Sequence, residues 1–426
     1  MKRLGFIFLN VTLVLALLIG CSNSDSALGG DEYIEETDYP YNFHPESSQG
    51  GITPSDQGYY LLNGNYIYYM DKDSTSPVLL DNRPNNECLK ENAFQNCNAF
   101  VSLRPNSTLF QFYQGNLYTI EYNYGAKNEN PTNGFKNGVY ELVKRDPDGT
   151  QREVLRTFLN ANLVQAVIHR GYLYYIVEDY DKDKTLIYQI LRHSLRKITK
   201  EPEVIFAGTN KEGGISRLVP YGTHLYFLEW PGNGMFQVMR YDLTSEETSV
   251  LWDQKDGGYP NIEGIHNKKL YHWYYYYNNR ETKTSDITDK RGLKIYTSDL
   301  DGSHIQETAI QASSIISKVF VDDDYIYVRP IKAQLRRLAD SGESTIPDEM
   351  KIYKDGKLYY TVDTSHLSMP DDIYPGDEHY MFVRGTGDKK DFIQYLDKND
   401  IKNGTAVFKT LLETPIDNQG RSFDVQ

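Results

Sequence analysis

The feature that most constrains the fold of this chain is a short motif that recurs seven times, roughly every fifty residues. In each copy a turn residue precedes an aliphatic residue, which is followed by tyrosine or another aromatic residue. The aliphatic positions are Ile67, Leu117, Leu173, Leu225, Leu270, Ile326 and Met381. Such units are packed against one another in repeat proteins, because one unit cannot bury its apolar face alone.

Four short strands can be traced in most repeats. A short apolar strand such as Val164–Ile168 comes before the motif strand, and an alternating strand such as Leu186–Ile190 follows it. Turn formers such as Asp299–Gly302 then lead to a fourth strand that ends apolar, as in Ser249–Trp252. The pattern predicts an all-β protein, a seven-bladed β-propeller of four-stranded antiparallel sheets.

The propeller is expected to span residues 58–426. In its first blade, Gly58–Leu62 and Tyr66–Tyr69 suit the second and third strands, and Pro77–Leu80 suits the fourth. This assignment leaves the first strand missing. The C-terminal segment Ser422–Val425 is a candidate for it, since it would close the ring and cover an exposed edge; a frayed tail is the alternative.

Residues 1–20 are typical of a lipoprotein signal peptide. Lys2 and Arg3 precede the apolar run Leu4–Ile19, which at about 16 residues is shorter than a membrane-spanning helix. A small residue and then Cys21 close the segment, as lipoprotein processing requires. The pattern predicts lipid attachment (diacylglycerol with palmitate-type chains) at Cys21, which would anchor the protein at the outer face of a cell membrane. The alternative is an ordinary secretory signal or an uncleaved anchor in which Cys21 has no role. The pattern fits hosts with one or two membranes.

Residues 21–57 are predicted to be a lipidated, flexible, acidic linker. No Lys or Arg occurs between Arg3 and Lys72, and such a composition cannot bury enough apolar surface to fold alone. Four aromatic residues at its far end are candidates for docking on the propeller. They are Tyr33, Tyr39, Tyr41 and Phe43.

The formal net charge of −14 argues against a nucleic-acid partner, because an acidic surface repels phosphate backbones. Cys21 aside, the chain has two cysteines, Cys88 and Cys97. In an oxidising compartment this pair favours a disulfide. A metal site is the alternative, although two thiolates without a nearby histidine make an incomplete zinc site.

The lipoprotein motif, the tyrosine-rich repeats and the segment Cys88–Phe100 resemble those of uncharacterised β-propeller lipoproteins of Gram-positive bacteria. These are grouped with propellers of the low-density-lipoprotein-receptor-related type. The resemblance implies a propeller fold and leaves the activity unassigned. Where such proteins often have a further cysteine and a histidine, this chain has Asp81 and Lys90, which argues against carrying over a metal site.

No nucleophile elbow, phosphate-binding loop or zinc-protease motif is present in the sequence, so no catalytic residue is assigned. The acidic run from Glu178 to Asp183 includes an Asp-x-Asp pair that suits the start of a calcium loop, but the rest of the loop pattern is absent. A solvated turn is therefore favoured, and calcium is kept as the alternative.

Two features predict a ligand-binding face. The aromatic strand that starts at Leu270 runs through Tyr275 and Tyr277 into a polar loop, and such rings stack on sugars or peptides, although packing between blades uses the same residues. Long connections between second and third strands share one rim. One of them has a cationic group that suits an anionic ligand, although a solvated loop face is the default interpretation. This group consists of Arg329, Lys332, Arg336 and Arg337.

These observations favour a membrane-anchored, extracytoplasmic binding or interaction protein. Its expected ligand is a glycan, a peptide or an envelope protein. The alternative is a polysaccharide-active enzyme that uses carboxylates in the propeller channel.

Overall fold

Each repeat folds into one four-stranded antiparallel sheet, and seven such sheets form the blades of a propeller in this computed structural model. The structure describes residues 30–44, 51–81, 83, 88, 97–102, 109–127, 137–159, 162–181, 183, 185–210, 213–232, 235–253, 258–276, 294–311, 317–330, 348–367, 371–387 and 390–415. The predicted fold class is confirmed.

The strands follow one another in chain order within every blade. Blade 1 consists of β1 (Ile52–Pro54), β2 (Gly58–Asn63), β3 (Tyr66–Asp71) and β4 (Val78–Leu79), and blade 2 of β5 (Phe110–Tyr113), β6 (Asn116–Lys127), β7 (Asn137–Arg145) and β8 (Glu153–Phe158). Blade 3 consists of β9 (Asn162–His169), β10 (Tyr172–Tyr180), β11 (Leu186–Ser194) and β12 (Glu203–Asn210), and blade 4 of β13 (Gly214–Tyr221), β14 (His224–Gly232), β15 (Met235–Asp242) and β16 (Thr248–Asp253). Blade 5 consists of β17 (Gly258–His266), β18 (Lys269–Tyr276), β19 (Lys294–Asp299) and β20 (Gln306–Gln311), and blade 6 of β21 (Ser317–Val321), β22 (Ile326–Pro330), β23 (Glu349–Lys354) and β24 (Lys357–Asp363). Blade 7 consists of β25 (Asp371–Tyr374), β26 (Tyr380–Gly387), β27 (Lys390–Asp397) and β28 (Lys409–Pro415).

Because each blade is an antiparallel meander, its connections alternate between two faces of the ring. We call the side where first strands turn into second strands the turn face; it includes residues 55–57, 170–171, 222–223, 267–268, 322–325 and 375–379. We call the opposite side, where second strands lead to third strands, the loop face. The only α-helix among the described residues, α1 (Lys398–Asn403), is short and lies between β27 and β28.

The first blade supplies its own innermost strand. Ile52–Pro54 pairs antiparallel with residues 59–61 of β2, so the first strand comes from within the stretch expected to be linker. The proposal that Ser422–Val425 completes this blade is therefore wrong: the position is already taken, and Ser422–Val425 lies outside the described residues. Three residues are too short a stretch to show the alternation by which a strand is recognised from sequence.

Packing between blades holds the ring together. Among the described residues, one apolar cluster lies between each pair of neighbouring blades. The cluster between blades 7 and 1 includes Tyr59, Leu61, Phe382 and Ile393, all fully buried. The ring thus closes by side-chain packing rather than by a shared strand.

The abundance of tyrosine has a structural explanation. The ring of a tyrosine fills the space between two blades, while its hydroxyl reaches the polar rim of the next blade. Tyr60 of blade 1 donates to the carbonyl of Pro147 in blade 2 at 3.1 Å. In the same way Tyr226 of blade 4 donates to the carbonyl of Leu300 in blade 5 at 2.9 Å.

Candidate functional site

The N-terminal segment, residues 30–44, docks on the turn face at the mouth of the central channel. Arg170, in the turn between β9 and β10, donates to both carboxylate oxygens of Asp38, at 2.6 Å and 3.0 Å. The same guanidinium donates to the carbonyls of Gly30 at 3.0 Å and Glu32 at 2.7 Å. The side chains of Asp38 and Arg170 are 0% and 4% exposed. One guanidinium thus holds three points of the segment, through a buried contact with Asp38 and exposed contacts with Gly30 and Glu32.

Two further blades hold the start of the segment. The hydroxyl of Thr223, in the turn of blade 4, donates to the carboxylate of Asp31. Lys268, in the equivalent turn of blade 5, donates to the carboxylate of Glu32 at 2.8 Å, although this pair is exposed. Acidic residues of the predicted linker, Asp31, Glu32 and Asp38, therefore form contacts with the propeller.

The segment then enters the channel. The backbone N–H of Tyr39 donates to Nδ1 of His169 at 3.0 Å. Further in, the ring of His44 lies 2.9 Å from the amide nitrogen of Gln165 and 3.0 Å from the carbonyl of Leu218. Both residues lie midway along innermost strands, β9 and β13. Phe43 is buried against Tyr59 and Phe382. The prediction that aromatic residues of the linker dock on the propeller is confirmed.

Beside the docked segment lies a cavity of about 600 Å³ on the turn face, which we call the mouth cavity. Its walls come from the segment and from the turns of blades 1, 2, 6 and 7. Nine lining residues are acidic: Glu35, Glu36, Asp38, Asp56, Asp322, Asp323, Asp324, Asp377 and Glu378. Two are basic: Lys72 and Lys398. The cavity is therefore strongly negative.

Hydrogen bonds position several of these carboxylates. Asp323 accepts from the hydroxyl of Tyr41 at 2.7 Å, and Asp377 accepts from the hydroxyl of Tyr59 at 2.6 Å. Burial, reinforced by the neighbouring carboxylate, raises the pKa of each of these tyrosines. Both phenols therefore stay protonated and keep donating at any physiological pH.

One carboxylate of the cavity is already neutralised. The ammonium of Lys398 bonds Asp322, and both side chains are 2% exposed. The hydroxyl of Tyr327 donates to the same carboxylate oxygen at 2.7 Å. This pair belongs to the framework of the cavity floor, because a ligand would have to displace a buried ion pair to reach it.

The remaining charges favour a cationic ligand. Asp38 is neutralised by Arg170 and Asp322 by Lys398, so most of the net negative charge is contributed by the other lining carboxylates. Aromatic residues also line the cavity, among them Tyr33, Tyr41 and Phe112. Carboxylates beside aromatic rings suit ammonium or guanidinium groups, which gain both charge pairing and cation–π contact.

The predicted disulfide is confirmed: Cys88 and Cys97 are bonded, with Cα atoms 4.9 Å apart. Asp81 lies against them, and its carboxylate is bound by Arg83, which holds the pKa of Asp81 below its usual range. Asp81, Cys88 and Cys97 form the one group of His, Cys, Asp or Glu side chains among the described residues whose ligand atoms lie close enough together to hold a metal. Because both sulfurs are part of the disulfide, neither can bind a metal as a thiolate while that bond is intact.

Two of the predicted ligand-binding residues, Tyr275 and Arg329, lie in the second strands of blades 5 and 6. Arg329 is 5% exposed, in β22, and its guanidinium faces Asp348 at 3.9 Å. Little of the Arg329 side chain is therefore open to solvent, and its role in binding an anionic ligand stays a prediction. Tyr275 lies in β18 opposite Tyr259, with its side chain outside those described. Cys21, Tyr277, Arg336 and Arg337 also lie outside the described residues.

The acidic run at the end of β10 forms a turn. The carboxylate of Asp181 accepts from the backbone N–H of Asp183 and of Thr185, both at 2.8 Å. A carboxylate used in this way closes the chain on itself, as the preferred interpretation of this run expects.

The mouth cavity was not predicted from the sequence, although its acidic residues follow a recognisable pattern. Its carboxylates recur in turns between first and second strands: Asp56, Asp322–Asp324, and Asp377 with Glu378. Each group taken alone looks like a solvated turn. Because these turns share one face of a propeller, superposing the repeats brings the charges together.

No protein-family model matches the sequence, and no curated protein matches it. Solved structures with the same fold do match. One, from a study of two prolyl endopeptidases, is 11% identical with a TM-score of 0.53; the match covers 98% of this chain and 56% of that chain. This chain thus spans little more than half the length of that peptidase.

Two other structures match less closely. An oligogalacturonate lyase in complex with manganese is 11% identical over 92% of this chain and 91% of that chain, with a TM-score of 0.45. An uncharacterised protein from Listeria monocytogenes is 10% identical over 71% of this chain and 80% of that chain, with a TM-score of 0.43. The chain is a seven-bladed β-propeller with distant structural similarity to peptidases, lyases and a protein without assigned activity, and these likenesses concern the fold alone.

Proposed function

We propose that this protein is a lipid-anchored, extracytoplasmic binding protein whose mouth cavity takes a basic peptide segment of an envelope protein. The observation that carries this proposal is the cavity of about 600 Å³ lined by nine carboxylates and two lysines. A cavity of this size suits a few side chains of a peptide. Tyr59 and Tyr41 hold two of the carboxylates in place, which reduces the entropy lost on binding.

The anchor is supported by the sequence. Lys2 and Arg3, the apolar run Leu4–Ile19 and Cys21 form a lipoprotein signal, and the resemblance to Gram-positive propeller lipoproteins agrees with it. Among the residues that the structure describes, no helix is long and apolar enough to cross a membrane.

Binding is tested with the full chain in detergent and a fluorescent tri-lysine peptide, followed by anisotropy at about 50 and 300 mM salt. We expect saturable binding that weakens with salt, because exposed charges are screened beyond about 8 Å at physiological ionic strength. Asp323→Asn with Asp377→Asn should weaken it at least fivefold. Glu413→Gln, an exposed carboxylate of blade 7 outside the cavity, is the matched control.

Two results would contradict the binding proposal. One is peptide binding that is unchanged in the doubly substituted chain. The other is release of products from a polysaccharide by the intact chain, which would favour the enzymatic alternative.

The anchor is tested separately by growing cells with radiolabelled palmitate. The native chain should incorporate label and Cys21→Ser should not. Cys88→Ser with Cys97→Ser serves as the control, because it removes the other two cysteines and should leave labelling intact. Label that follows Cys88 or Cys97 instead of Cys21 would refute the assignment.

A further inference from the structure

The N-terminal segment determines which face of the propeller meets the membrane. We propose that the turn face lies over the lipid surface, held there by the short stretch between Cys21 and the docked Gly30, and that the loop face points away. This inference rests on the proposed anchor at Cys21. It adds an orientation that the presence of an anchor does not imply.

The first step is where the segment is held. The carbonyl of Gly30 accepts from Arg170 at 3.0 Å. Its neighbours Asp31 and Glu32 are bound by Thr223 and Lys268. These three partners come from the turns of blades 3, 4 and 5, all on the turn face. The chain therefore leaves the propeller from that face and from a defined place on it.

The second step is length. Residues 22–29, eight in number, separate Cys21 from Gly30. Eight extended residues span at most about 28 Å, and a flexible chain of this length has an end-to-end distance of about 16 Å. An undocked tether running to Gly51 would instead average about 30 Å and reach about 100 Å. Docking thus converts a long tether into a short one.

The third step is charge. The turn face contains the mouth cavity with its excess of carboxylates, which anionic headgroups repel within a Debye length of about 8 Å at physiological salt. Repulsion prevents close contact, while the short connection prevents departure. The turn face is therefore held in a gap of roughly 8 to 28 Å. Such a gap admits a flexible basic peptide next to the membrane and excludes a folded domain.

The orientation is tested by energy transfer to acceptor lipids in vesicles of phosphatidylcholine with one-fifth phosphatidylglycerol. The chain from Cys21 onward retains every residue that the structure describes, and its Cys21 thiol is coupled to a maleimide lipid. A donor dye is attached through azidophenylalanine in place of either Lys357, exposed on the turn face, or Leu159, 66% exposed on the loop face. Cys88 and Cys97 do not react while they form a disulfide.

We expect at least twofold higher transfer efficiency from position 357 than from position 159. The two faces are separated by strands of about eight residues, or roughly 26 Å. Inserting twenty Gly/Ser residues between Ser26 and Ala27 should lower both efficiencies and reduce their difference, because the docked residues stay unchanged while the connection lengthens.

Equal transfer from the two positions in the chain without the insertion, or higher transfer from position 159, would overturn the orientation. Because the lipid is attached chemically, this result does not depend on whether cells acylate Cys21. A chain that fails palmitate labelling but shows the expected transfer would refute the anchor and keep the orientation that docking imposes.

Discussion

The backbone N–H of Tyr39 donates to Nδ1 of His169 at 3.0 Å, which defines the charge state of that buried imidazole. With Nδ1 accepting, the proton lies on Nε2, which donates to the carbonyl of Gly222 at 2.7 Å. A protonated imidazole would direct an N–H at the N–H of Tyr39. The contact that brings the N-terminal segment into the channel therefore requires neutral histidine.

This contact predicts a specific loss of stability in acid. Burial, the largest cause, lowers the pKa of His169 from 6.5 to about 4. Below pH 6.5 the unfolded chain binds a proton that the folded chain does not, so the free energy of unfolding falls as the pH drops towards 4. The total loss from this residue is about 3 kcal/mol, at 1.36 kcal/mol per unit of pKa difference.

The pH dependence of unfolding is compared between the native chain and His169→Gln, whose side-chain amide can keep both hydrogen bonds and does not titrate. Urea unfolding at pH 7, 6, 5 and 4.5 should show a steeper loss for the native chain. Other buried histidines, such as His272, contribute equally to both proteins. The same slope in both would contradict the prediction.

Removing Arg170 should release the N-terminal segment. Arg170→Ala leaves the buried carboxylate of Asp38 without its partner, and breaking a buried pair in this way costs about 3–5 kcal/mol. Hydrogen exchange should rise within residues 30–44 and change little in β27. The matched control is Lys390→Ala, which breaks an exposed pair with Glu413 at 2.8 Å and should cost less than about 1 kcal/mol. An unchanged exchange rate in the segment would show that Arg170 does not hold it.

Adding a single methyl group at Gly222 should also release the N-terminal segment. Its φ is +56°, and a Cβ there would lie 2.5 Å from the carbonyl oxygen of Asp31. Gly222→Ala should therefore push the start of the segment away, which limited proteolysis would detect. Gly356→Ala is the control, because its φ is +72° and a Cβ there meets nothing within 4 Å. The control bears the cost of positive φ alone, about 1 kcal/mol, so equal proteolysis of the two variants would rule out the clash.

Reduction of the disulfide should destabilise the propeller moderately. Cys88 and Cys97 close a loop with a sequence separation of 9, for which the chain-entropy model gives about 2–3 kcal/mol. Chemical unfolding with and without a thiol reductant measures the difference. Cys88→Ser with Cys97→Ser should show the reduced stability under both conditions, and a reductant effect that persists in this variant would disprove the assignment.

The blade architecture was predictable because it depends on local pattern. The seven aliphatic-aromatic motifs and the Asp-Gly turns specify where strands run and reverse, and a four-stranded meander needs no long-range information. The strands predicted around Leu173 and Ile326 match β10 and β22. The disulfide was predictable for the same reason, because two cysteines nine residues apart have few other possible partners.

The mouth cavity and the docked segment were not predictable in this way. Asp38 and Arg170 are 132 residues apart in the chain, and Tyr41 and Asp323 are 282 apart. No local pattern marks such pairs, because each residue alone suits a solvated turn or linker. Arg329 shows the same limit: the sequence places it at the start of a cationic loop, and only the fold shows that its strand position buries it beside Asp348.

By itself, then, the sequence determined the repeat, the strand order and the disulfide, since each of these is encoded by neighbours along the chain. Only the tertiary structure decided which turns meet, what occupies the channel and which charges remain exposed. The physical reason is that the ring brings seven distant turns onto one face, where burial and hydrogen bonding neutralise some carboxylates and leave others facing a shared cavity.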